Sequence, residues 1–342
     1  VPESRAPAPR RLDVAGVLLS VAGLLSLVYG IIDAGEHGFG RPVVWLALAA
    51  GVVLLTGFVW HERRTEQPSL DIGLFSDARF SAAIAAIGLA FFAGMGTLFF
   101  LTFYLQLVRG FSPLQAGLLM TPFAVAQLVF APRSAAMVRR FGPRAVCTVG
   151  LSLVTIALAG YAFIEVTTPV GVLLALTFLQ GTGMAHVVPP STESIMSSLP
   201  PQRAGVGSAV SNTFRQVGGA LGVAVLGAVL SAVYRRGVSD ALDGLAQPDR
   251  REAAESISGA YGVAATAGPE AAGLIEAANQ AFVTAMHWAA VGSAVVASAA
   301  TVVVMLTLPR RSNPHHDRPV AEPAEEVGPP PRVGRGVRRG MR

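Results

Sequence analysis

Lysine is absent from this 342-residue sequence, cysteine occurs once, and only 14% of the residues are charged. Soluble globular domains carry about 25% charged residues, so the composition argues against a fold with a solvated surface. The lone Cys147 makes neither a disulfide framework nor a thiolate metal cluster. The pattern H-E-x-x-H is missing, and no clustered carboxylates or Ser/His pairing occur within the apolar runs, which argues against a membrane-embedded enzyme. No catalytic residue, metal or cofactor is expected. No signal peptide is visible, and the sequence opens without methionine on "VPESRAPAPRR", so its true start is expected to lie upstream.

What is present is apolar and arrives in blocks. Hydrophobic residues make up 52% of the chain, and its mean hydropathy is +0.54. Residues 14–32, 43–60, 80–108, 110–132, 145–164, 166–192, 216–234 and 281–309 contain no Asp, Glu, Arg or Lys. Each block is about long enough to cross a hydrocarbon core of roughly 30 Å as a helix. The expectation is an all-α integral membrane protein with eight transmembrane helices.

All 26 basic residues are arginine. Counting connections alternately from the N-terminus, 20 of them fall on the side shared by both termini. The other side holds only Arg41, Arg109, Arg235, Arg236, Arg250 and Arg251. This positive-inside asymmetry places both termini in the cytoplasm of a multi-pass protein of the plasma (inner) membrane. The basic tail suits anionic lipid, and no nucleic-acid partner is expected.

Along the chain, residues 1–11 read as a cytoplasmic linker and 12–60 as a helix pair. The connection 61–79 mixes charge with Leu70, Ile72, Leu74 and Phe75, and predicts a short amphipathic helix on the inner surface. Six spans follow over 80–308, interrupted at 235–280 by a long extracytoplasmic segment that is net acidic and shows no binding motif. Pro122 should kink the fourth span, which is expected to end near residue 132. The sixth ends near 190, the seventh covers about 205–234 and the eighth begins near 281. The Pro-, Gly-, Arg- and Glu-rich tail from 309 to 342 cannot bury a core and is expected to be disordered.

Three local patterns carry chemistry. "AAMVRRFGPR" (135–144) is a tight turn between two apolar runs with arginine on both sides, which also fits simple anchoring of helix ends to lipid phosphate. "FYLQLVRGFSPLQAGLLMTP" (103–122) carries Tyr104 and Gln106 at one end of a span, and Ser112 and Pro113 suit a helix start. Glutamine in a membrane helix turns inward, because lipid offers no partner for its amide; a bond to a neighbouring helix and a cavity role both fit. "NTFRQVGGALG" (212–222) sets Arg215 ahead of Gly218 and Gly222, a small-xxx-small pair for close helix contact.

Together these patterns resemble the major facilitator superfamily, specifically its 14-helix drug:proton antiporter family of the EmrB/QacA type. "YLQ…G.SPLQAG…P", "RFGPR" and "SLPPQRAGVGSAVSNTFRQVGGALG" stand in that family's order, and the resemblance covers residues 1 to about 308. It implies an extra central helix pair followed by the six-helix C-terminal major-facilitator bundle, with the N-terminal six-helix bundle missing. The superfamily's loop motif G-x-x-x-D-R-x-G-R-R is kept at Arg140, Gly142 and Arg144. Ala135 replaces its Gly, Arg139 its Asp and Pro143 a basic residue.

The resemblance further implies export of hydrophobic or cationic drugs in exchange for protons, by rocking of two bundles around a midplane site. Tyr104, Gln106 and Gln180 become the expected substrate-facing groups, with Met95, Phe99 and Met184 as adaptable apolar wall. Glu193, Arg215 and His186 are the expected gate or proton-linked groups, Glu193 pairing with Arg203 or Arg215. His287 is a further titratable group. Core packing or a solvated structural role fits each of these as well. A non-transporting membrane remnant or scaffold is the alternative, since one bundle cannot alternate alone.

Overall fold

The computed structural model describes residues 13–65, 68, 70–200, 203–266 and 273–308. Among them there are helices and turns but no strand, and eight helical stretches are long and apolar enough to cross a membrane. The chain is an all-α membrane protein. The linker expected over 1–11 and the tail expected over 309–342 lie outside the described residues.

The first two spans, α1 (Val14–His37) and α2 (Pro42–Glu62), form a tight hairpin. Asp13 caps α1, accepting a hydrogen bond from the Gly16 amide at 2.9 Å. Pro42 opens α2 at a first-turn position, where its missing N–H costs no bond. Gly35 of α1 lies directly against the Ala228 backbone, which docks the hairpin on the rest of the molecule.

The 61–79 connection corrects the sequence reading. Its described residues hold a five-residue 3-10 helix, Ile72–Ser76, where a longer amphipathic helix was expected. Leu70, Leu74 and Phe75, each half-buried, pack in part against Phe80, Ile84, Ile87, Ile195 and Val210.

The third span, α3 (Ala78–Phe103), runs on into a π turn, Tyr104–Val108. The fourth is broken in two: α4 (Pro113–Leu119) and α5 (Thr121–Phe141). Pro122 therefore does not kink a continuous helix; it sits in the first turn of α5, where no bond is lost. The interior proline is Pro132, and α5 continues past it to Phe141, beyond the end expected near 132. Ser112 and Gln115 close a reciprocal capping box at the start of α4.

Gly142 alone joins α5 to α6 (Pro143–Tyr161). Its φ of 82° lies where a side chain is disfavoured. Its amide donates to the Val138 carbonyl at 2.8 Å, closing α5 while α6 starts at Pro143.

Three further boundaries differ. Past α7 (Val170–Ala185) the residues expected as a connection form α8 (Val188–Ser197). The long helix α9 spans Ala204–Val238, and the last, α12 (Leu274–Thr307), begins seven residues before the expected 281. Between them lie the short helices α10 (Gln247–Glu255) and α11 (Ile257–Thr266). Ala253, Ile257, Ala260 and Val263 are buried in the main core, and the Tyr234 hydroxyl donates to the Ala253 carbonyl at 3.1 Å. The acidic segment is thus partly a packed cap on the bundle.

Helix association in lipid rests on close van der Waals packing, not on water release. The α3–α9 seam meets that requirement with glycine. A Cβ on Gly218 would overlap the Gly88 carbonyl oxygen, and one on Gly222 the Phe92 carbonyl oxygen.

Candidate functional site

Helix α3 is largely enclosed: Ala82, Ala86, Ala90 and Ala93 are fully or almost fully buried. One stripe of it stays open. Met95, Phe99, Thr102 and Gln106, spaced by three or four residues and so on one face, are half-buried or exposed. This stripe includes three residues expected from the sequence, Met95, Phe99 and Gln106.

Tyr104 and Gln180 are not on it. Tyr104 is fully buried, and its hydroxyl donates to the Glu165 carbonyl at 2.7 Å. Arg109 donates to the Tyr104 oxygen at 3.3 Å and to the Thr168 carbonyl. Both residues therefore hold the α6–α7 connection. The cause is the π turn, in which the Arg109 amide bonds five residues back to the Tyr104 carbonyl at 3.0 Å. Gln180 is fully buried and accepts a bond from the Tyr161 hydroxyl at 3.2 Å; its Nε2 has no partner among the described residues. Met184 belongs to the buried core, so it is not exposed wall.

The gate groups are dispersed. Glu193 lies on the exposed side of α8 and makes no ion pair among the described residues. Arg203 pairs instead with Asp71 at 3.0 Å, tying the start of α9 to the 3-10 helix. A cleft of about 480 Å³ beside it is lined by Glu62, Arg63, Thr65, Asp71, Ile72 and Ser76. His186 is buried, bonded to the Thr182 carbonyl at 2.7 Å and tilted against Phe130. His287 donates to the Ile164 carbonyl at 2.5 Å. Arg215 is half-buried on α9, with its guanidinium 5.7 Å from the Phe91 ring centre. At the turn, Arg140 is exposed and lies over Phe141, Gly142 is buried, and Arg144 is half-buried. No metal-binding group of His, Cys, Asp or Glu occurs among the described residues.

Sequence reasoning missed a charged pair at each end of the α1–α2 hairpin. Asp33 is buried, and its Oδ1 accepts from Arg41 and lies against His37 Nδ1, both at 2.9 Å. At the opposite end His61 Nε2 lies 3.0 Å from Asp13 Oδ1. The available signal was that Asp13 and Asp33 bracket the charge-free run 14–32.

Asp13, just outside the span, has its carboxyl held below the ordinary carboxylate range, first by the Gly16 amide and then by His61. A value lowered by folding stabilises the fold above the unfolded value of about 3.9. That stabilisation disappears as pH falls through the folded value. Thermal unfolding midpoints of the wild type are therefore expected to fall in acid, and those of Asp13→Asn to fall less over the same range.

The chain matches the Major Facilitator Superfamily over residues 8–223. It is 33% identical to the tetracenomycin C resistance and export protein of Streptomyces glaucescens, across 96% of this chain and 61% of that protein. It is 34% identical to the multidrug efflux pump LfrA of Mycolicibacterium smegmatis, across 89% of this chain and 60% of the pump. The chain thus spans about three-fifths of the length of these two relatives. Its fold is similar to that of a bacterial homolog of the human lysosomal transporter Spinster in an inward-facing, occupied conformation. The TM-score is 0.53 at 16% identity, covering 87% of this chain and 67% of that one.

Proposed function

The chain belongs to the major facilitator superfamily, and on that premise we propose that it forms the C-terminal part of a secondary exporter for drugs or antibiotics, driven by proton antiport. The observation that carries the reading is the open stripe formed by Met95, Phe99 and Thr102 of α3 and Gln106 of its π turn, on a helix whose opposite side is buried in protein. An aromatic and thioether surface with an amide at one end suits varied hydrophobic molecules. Relatives described as export and efflux proteins support the same direction.

In this reading α1 and α2 are the extra central pair of a 14-helix arrangement, and α3 to α12 the six-helix C-terminal bundle. A further six-helix bundle completes the transporter and covers the α3 stripe, and both ends of this chain face the cytoplasm at the plasma membrane. Glu193, His186 and Arg203 serve the proton-linked gate, with a Glu193–Arg203 pair belonging to a different state of the cycle. Arg140, Gly142 and Arg144 hold the inner turn against the membrane surface.

The test is efflux of a lipophilic cation dye from cells making this chain together with its upstream coding sequence. Extrusion should stop when the proton gradient is collapsed. Extrusion that continues at the same rate rejects proton antiport, and a stop codon directly upstream rejects the missing bundle. Efflux by the 342-residue chain alone would remove the need for a second bundle.

A further inference from the structure

One face of α9 is polar near its N-terminal end, over residues 208–216. Ser208, Asn212, Thr213 and Gln216 are all exposed, although the helix as a whole is apolar enough to span. Lipid offers such groups no hydrogen-bond partner, so this face turns to water or to a polar ligand. Asn212, Arg215 and Gln216 share it by their three- and four-residue spacing. Alongside runs α3, close enough that a Cβ on Gly219 would sit 3.0 Å from Met95 Cγ.

The charge of this face has one sign. Arg215 makes no hydrogen bond or ion pair among the described residues, and its Nε is buried without a partner. The Phe91 ring lies 5.7 Å from the guanidinium carbon, a contact that leaves the charge unneutralised. Of the two carboxylates the sequence sets near this end, Asp71 is taken by Arg203 and Glu193 lies on the exposed side of α8. Met196 of α8 approaches α9 at Gly207, eight residues from Arg215, about 12 Å along the axis. Arg215 is a half-buried guanidinium whose Nε is unbonded, and the exposed Asn212 and Gln216 on the same face each offer an amide donor and a carbonyl acceptor. An uncompensated buried donor is costly, and an acceptor that meets it gains more than a neutral contact does.

We propose that Asn212, Arg215 and Gln216, with Phe91 and Met95 as the apolar side, form a subsite for an electron-rich aromatic ligand bearing a phenolate, carboxylate or carbonyl oxygen. The guanidinium receives the oxygen, Asn212 and Gln216 donate to neighbouring oxygens, and the ring lies along Phe91 and Met95. Cationic drugs are disfavoured at this position by the Arg215 charge. The subsite deepens the transporter reading, since it names the chemistry that one wall of the proposed cavity selects.

Alizarin, a phenolic anthraquinone, and ethidium, a planar cation, serve as opposed probes in fluorescence titrations of the purified chain in detergent. Saturable alizarin binding is expected, weakened about tenfold by Arg215→Gln and less by Arg215→Lys, with ethidium affinity unchanged or raised. Asn212→Ala with Gln216→Ala should also weaken alizarin alone, and it provides the test if Arg215→Gln loses its helical circular dichroism. Wild-type alizarin affinity in these variants, an equal loss for both dyes, or no saturable alizarin binding overturns the proposal. Binding of this kind stands even if efflux proves independent of protons. Proton-driven efflux without it overturns the subsite alone.

Discussion

Leucine in place of Gly222 is expected to abolish accumulation of the folded chain. At this position α9 touches α3 backbone to backbone, and even a Cβ would overlap the Phe92 carbonyl oxygen. A neighbouring side chain can rotate away, but a helical carbonyl cannot. The helices must separate, and contacts along the whole seam are lost with them: Gly218 against Gly88, and Leu226 against Gly96. Forcing one or two methylenes into a packed core typically costs about 1–3 kcal/mol. Four carbons against an immovable backbone exceed that, and net stabilities are only about 5–15 kcal/mol.

Gly227 on the same helix has nothing within 4 Å of a Cβ. Gly227→Leu should therefore keep the wild-type yield, which separates seam packing from any general effect of leucine on α9. Size-exclusion profiles of detergent-extracted protein decide the matter. A monodisperse Gly222→Leu peak at wild-type yield contradicts the seam.

Tyr104→Ala is expected to cost about 3–5 kcal/mol, in the range for truncating a large buried ring. Tyr104→Phe should cost less, about 1–3 kcal/mol, because it keeps the ring but leaves the Glu165 carbonyl without its donor. Arg109 also loses one of its acceptors in both variants. Thermal unfolding of the two variants gives the order. A direct substrate contact at Tyr104 predicts the reverse pattern, with stability intact and transport altered. The enclosed position and its 2.7 Å bond favour a structural fastener between α3 and the α6–α7 connection.

The two cases show what sequence spacing reads and what it leaves open. The spacing of Gly218 and Gly222 in "RQVGGALG" signals close helix approach, and the structure supplies the partner, α3. Tyr104 and Gln180 were polar groups in apolar runs, which correctly implies that they avoid lipid. A polar side chain escapes lipid equally well toward a cavity or toward a carbonyl of its own protein. Periodicity does not separate those outcomes; the π turn at Tyr104–Val108 and the Tyr161 hydroxyl do.

Glu193 shows the same limit for charge. Sequence proximity to Arg203 and Arg215 suggested a pair, yet residues 188–197 form a helix that carries Glu193 outward, and Asp71, 132 positions away, reaches Arg203.

Composition and the charge-free runs by themselves determined that this is an all-helical membrane protein, with eight stretches among the described residues long and apolar enough to span. Burying a helix in hydrocarbon requires length and apolarity, and both are properties of a local stretch. A tight glycine-containing turn within 135–144 was legible for the same reason, but its reduction to Gly142 alone was not, because α5 runs on to Phe141. Which helix faces which, and therefore which polar group is a fastener, which is a pair and which stays open, was decided only by the tertiary structure. Those distinctions depend on neighbours tens to hundreds of residues away, as with Arg235 of α9 donating to the Gly35 carbonyl of α1 at 2.6 Å. The open stripe of α3 and the polar face of α9 emerge only once the packing of the neighbouring helices is known.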